Sequence, residues 1–164
     1  MSALAVALLG ASAWGDTREW SFTRDTPREI AVPEAIVQAA DFGGLEYDAP
    51  PYRGFRADLN GDGAPEYIIQ SAPSLCGNGG CVYALFDGSS LRSLGTIFGG
   101  AMVVRSAPAG AFPVINALSH LSAEAASYTT FAFRDGGYVR LTSIEVSGLA
   151  LDRLVRDLRG VAPR

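Results

Sequence analysis

Phe55-Arg56-Ala57-Asp58-Leu59-Asn60-Gly61-Asp62-Gly63-Ala64-Pro65-Glu66-Tyr67-Ile68-Ile69 reads as strand, loop, strand. The flanking runs are rich in aromatic and β-branched residues and too short for helices. Between them, Asp, Asn and Gly favour tight turns. From Tyr52 onward the chain repeats this style, with short apolar runs punctuated by Gly, Asp and Asn.

Strands are predicted at 20–23, 52–57, 66–71, 82–86, 91–98, 101–105, 112–117, 128–133 and 138–146. Val82-Tyr83-Ala84-Leu85-Phe86 is apolar at every position, the mark of a central strand covered on both faces. Asp87-Gly88 and Asp135-Gly136 are hairpin-turn signals. The apolar parity slips between Val139/Leu141 and Ile144/Val146, which places a β-bulge near Thr142-Ser143. Pro33-Glu34 opens a short helix with Ile36, Val37 and Ala40 on one face, closed by Gly43-Gly44. A longer helix follows Ser147, with Leu151, Leu154, Val155 and Leu158 on one stripe, an Asp152–Arg156 pair and Gly160 at its end. No 20–50-residue period repeats, so a solenoid or propeller has no support. The expected fold is mainly β (α+β): an antiparallel β-meander forming a sheet or sandwich, with a short N-terminal helix and a C-terminal helix packed on it.

The loop carries the one chemical motif. Oxygen side chains stand at positions 1, 3, 5 and 9 of Asp58–Glu66. Calcium, a hard cation, takes six to eight oxygens. Asp58, Asn60 and Asp62 would supply side-chain oxygens, Ala64 its carbonyl and Glu66 the closing carboxylate. Gly63 stands where the chain turns sharply. Asp, Asn and Gly also build metal-free turns. The stretch resembles the calcium loops of EF-hand, dockerin and FG-GAP proteins. It departs from the EF-hand at position 12, where Ile69 replaces the bidentate Glu, and its closure at position 9 is similar to FG-GAP loops. The resemblance covers nine residues in a single copy, so no multi-blade propeller is implied. It implies one structural Ca2+, held with an affinity of roughly micromolar to millimolar.

Residues 1–15 read as a signal peptide. Ala3–Leu9 is an unbroken apolar run, followed by Ala11-Ser12-Ala13, with cleavage expected after Ala13 or Gly15. No basic residue precedes the run, a departure from the usual pattern. The run is too short to span a bilayer, so no stable membrane insertion is expected after processing. Residues 16–164 then form a single calcium-stabilised β-rich domain, periplasmic or extracellular. In that setting Cys76 and Cys81 are expected to form a disulfide across Gly77-Asn78-Gly79-Gly80, contributing about 2 kcal/mol. The spacing is not that of a C-x-x-C redox motif, and a single His makes a zinc site improbable.

The net charge is −4, and all 13 basic residues are scattered arginines, which argues against a nucleic-acid partner. No nucleophile elbow, H-E-x-x-H, P-loop or dinucleotide fingerprint is present. His120 reads as an ordinary strand-end residue. Glu124 and Glu145 could pair only if the fold brought them together. Tyr47, Tyr52 and Phe55 could stack on sugars but are more often core. The small-residue loop from Ser71 to Cys81 is the feature that suits recognition, because preordering lowers the entropic cost of docking. Leu75, its only large apolar side chain, and Asn78 are the candidate contacts. The expectation is an exported non-enzymatic binding or interaction protein with a partner such as an envelope protein or glycan. The alternatives are an inhibitor or immunity protein against a periplasmic hydrolase, and a carbohydrate-active enzyme.

Overall fold

The computed structural model describes residues 18–161, so the apolar start and both cleavage points lie outside the described residues. In chain order the elements are β1 (Trp20–Thr23), β2 (Arg28–Ile30), α1 (Glu34–Val37), α2 (Ala40–Gly43), β3 (Tyr52–Ala57), β4 (Glu66–Gln70) and β5 (Cys81–Phe86). They continue with β6 (Ser93–Gly99), β7 (Ala101–Val104), β8 (Ile115–His120), β9 (Ala125–Arg134), β10 (Gly137–Ser147) and α3 (Gly148–Gly160). All pairings are antiparallel, in two five-stranded sheets ordered β2-β3-β4-β5-β6 and β1-β7-β8-β9-β10. The fold is therefore a sandwich of two near-meanders.

The two inner faces make the main core. Ile68, Tyr83, Leu85 and Leu94 from one sheet meet Phe22, Met102, Ile115 and Phe131 from the other. The outer face of the first sheet, through Ile69, Ala84 and Phe86, is covered by Ile36, Phe42 and Leu45. Strand β5 thus sends alternate side chains into two cores, which is why it is apolar throughout. The outer face of the second sheet receives α3, whose Leu151, Leu154, Val155 and Leu158 pack near Leu118 and Ala126. The Asp152–Arg156 pair does not close, and Ser147 makes no side-chain cap.

Several boundaries differ from expectation for identifiable reasons. The N-terminal helix is two separate turns, because Ala39 is extended between them and Pro33 supplies no cap. Tertiary packing sets its buried face, so Phe42 and Leu45 are enclosed while Ala40 is exposed. β2 carries no strand signal in its sequence, since two of its three residues are charged, a feature that suits an edge strand. β8 starts at Ile115, after Pro113, which has no N–H for a ladder. The bulge falls at Leu141, where the β9–β10 register slips between Arg140 and Thr142. Asp135 and Gly136 both have positive φ (51° and 89°), as a type I′ turn requires. Gly88 does not. A Cβ there would stand 2.3 Å from the carbonyl oxygens of Ala64 and Pro65, so Gly88 serves a close backbone approach.

Candidate metal centre and the disulfide-braced end

The Asp58–Glu66 loop joins β3 to β4 and folds around its own amides. Asp58 Oδ1 accepts from the N–H groups of Gly61 (2.7 Å) and Asp62 (3.2 Å), and Oδ2 from that of Gly63 (3.0 Å). Asn60 Oδ1 accepts from Asp62 N–H at 3.0 Å, and Asp62 Oδ1 from Ala64 N–H at 2.7 Å. The Asn60 amide donates to Asp62 Oδ2 at 3.0 Å. Gly63, at φ 86°, allows the reversal. The rest of the fold holds the loop from three sides. Arg56 donates to the Pro65 carbonyl at 2.8 Å, Gly110 N–H donates to the Asn60 carbonyl at 2.6 Å, and Gly88 lies against Ala64 and Pro65.

Glu66 is the anomaly. It opens β4 on the inner face of the sheet, in line with Ile68, and is fully buried. Oε2 accepts from Leu59 N–H at 2.6 Å, but the enclosed Oε1 has no hydrogen-bond partner. Burial first, with the neighbouring Asp62 and Asp58 charges adding to it, pushes this carboxyl up to about 7 against the lowering effect of the Leu59 N–H. A half-satisfied carboxylate sealed behind two more carboxylates is costly unless a proton or a cation joins it. No three His, Cys, Asp or Glu side chains converge on one metal position among the described residues. Asp58 and Asp62 turn toward loop amides instead, and each carboxylate keeps further lone pairs.

At the other end of β4, Cys76 and Cys81 form a disulfide with Cα atoms 4.3 Å apart. Within the ring, Gly77 and Gly80 exchange two backbone hydrogen bonds, of 2.9 and 3.1 Å. Gly80 packs where the chain crosses between sheets. A Cβ there would stand 2.0 Å from the Gly99 carbonyl carbon. A short 3-10 turn, Pro73–Leu75, precedes the ring. Asn78 lines a groove of about 610 Å³ with Arg24, Asp25 and His120, while Leu75 is half-buried and outside its lining. A second groove, of about 660 Å³, shares His120 and Leu121 with the first.

The loop that could hold a cation and the loop braced by the disulfide are thus neighbours in sequence but sit at opposite ends of β4, ~17 Å apart at a strand's rise. His120 is indeed the last residue of β8, though it borders both grooves, which its strand-end position did not reveal. Glu145 faces Ser127 across β9–β10, whereas Glu124 lies in the β8–β9 turn near Ser147 and Asp152. Tyr47 and Tyr52 pack on Phe42, and Phe55 on Phe22 and Trp20, as core aromatics. No helix among the described residues is long and apolar enough to cross a membrane. No protein-family model, curated protein or solved structure matches the chain.

Proposed function

We propose that this chain is an exported, non-enzymatic binding domain with one structural calcium site, and that it meets an envelope protein or glycan through its disulfide-braced end. The observation that carries the ion is Glu66 Oε1, buried and without a partner beneath a loop of oxygen side chains. Calcium would take Asp58, Asn60, Asp62, the Ala64 carbonyl and Glu66, and would supply the missing partner. Asp58 and Asp62 would exchange some amide contacts for the cation. Export is consistent with the Cys76–Cys81 bond. Recognition at the far end draws on the braced loop, with Asn78 in a groove wall, while Leu75 precedes the ring outside that lining.

Melting the purified domain in calcium and then in chelator tests the reading. Stability should fall by ~3 kcal/mol when the ion, held about a hundredfold above its dissociation constant, is removed. Asp58→Ala should erase the difference. An unmoved melt, with no calcium by elemental analysis, overturns the proposal.

A further inference from the structure

We infer that the groove between the free edges of β6 and β10 binds a carboxylate-bearing sugar. This rests on reading the disulfide-braced end as the recognition face, and it does not depend on the ion at the opposite end.

Strands β6 and β10 are the last strands of their sheets. They touch where Gly95 meets Tyr138 and Gly137 meets Leu94, at distances so close that a Cβ on Gly95 would lie 3.0 Å from the Tyr138 carbonyl. Beyond that contact the edges part, leaving the groove of about 660 Å³. Three features of its lining point to one ligand chemistry.

The inward face of β9 changes character along the groove, from Phe131 to Thr129 and Ser127. With Ser143 across the ladder, these hydroxyls form a triangle with O···O distances of 2.8, 2.9 and 3.4 Å. Each hydroxyl has one donor and two acceptor sites. Mutual bonding can consume all three donors yet leaves acceptor sites for the O–H groups of a polyol. Phe98, 42% exposed, lines the same groove. An aromatic face carries partial negative charge, which suits the positively polarised C–H face of a pyranose.

The charge comes from Arg140, opposite Phe131 on β10. Among the described residues no Asp or Glu lines this groove, although Glu145 flanks it opposite Ser127, and the guanidinium fork of Arg140 takes a carboxylate in a bidentate pair. A neutral sugar would leave that fork unused.

Titration of the oxidised domain with glucuronic, galacturonic and N-acetylmuramic acids, each beside its methyl ester, tests this by NMR. At least one acid should shift the groove resonances and bind tenfold or more tightly than its ester. Arg140→Gln should erase the preference, and Phe98→Ala should weaken acid and ester alike, both with the melting temperature unchanged. Equal affinity for acid and ester, or silence from all three acids, overturns the inference. Binding of a short peptide through its C-terminal carboxylate instead would overturn the sugar and leave the recognition face standing. Silence from sugars and peptide together would count against both.

Discussion

Leu59 N–H donates to Glu66 Oε2 at 2.6 Å, while the other oxygen of that same buried carboxylate meets no donor. Glu66→Gln keeps an acceptor for Leu59 and removes the charge. With the folded carboxyl at about 7 against an ordinary 4.5, the ionised form costs ~3 kcal/mol in the ion-free protein. That cost is complete above pH 7 and vanishes below 4.5, because the folded state holds its proton over the interval. At pH 8 without calcium, Glu66→Gln should therefore melt higher than the parent, and should gain nothing from calcium. Retention of the full calcium response in the variant removes Glu66 from the site.

Acid should expose the turn after β5. Asp87 Oδ1 accepts from Ser90 N–H (2.6 Å), Ser89 N–H (3.1 Å) and both serine hydroxyls, and these bonds, that of Ser90 N–H first, hold its carboxyl down to about 2. The stabilisation is present above the unfolded value of 3.8 and is lost as pH falls through 2. Solvent screening at this half-exposed site limits it to about 1 kcal/mol. The gap between parent and Asp87→Ala in urea midpoints should be full at pH 6 and close by pH 2. A gap independent of pH would mean that the charge of Asp87 contributes nothing.

The bond between Cys76 and Cys81 should protect both residues from alkylation in denaturant until reductant is added. Its loss, in a Cys76→Ser/Cys81→Ser double variant, should cost about 2 kcal/mol by loop entropy. Two alkylated cysteines without reductant would contradict the bond.

Gly88→Ala should disturb the loop from outside. Its new Cβ would fall 2.3 Å from backbone oxygens of Ala64 and Pro65, and backbone cannot yield cheaply. A loss of ~2 kcal/mol and weaker calcium stabilisation are expected. Gly43→Ala, with nothing within 4 Å of its Cβ, provides the control and should change stability little. Equal melts for the two variants would show that the contact has no weight.

What could be read from residues alone was local. The bounds of β3, the two-faced burial of β5 and the stripe of α3 follow from patterns within a few residues of each other. Glu66 shares the inner face of β4 with Ile68, but its residue type and ligand spacing mark it from sequence only as a closing carboxylate, and its full burial comes from packing between the sheets. The groove between β6 and β10 was out of reach, because it is made by two strands from different sheets that lie far apart in the chain. Edge strand β2 was hidden by its charges, since its single interior neighbour makes only weak demands on its sequence.

Strand β4 is fastened at both ends, at Glu66 by the loop amide that grips its carboxylate and beyond Gln70 by the disulfide ring that opens β5. Fraying needs an end from which to begin, and this strand offers none. The amides of Ile68 and Ile69 should exchange with deuterium only through complete unfolding, so their rates would read out the global free energy of the domain.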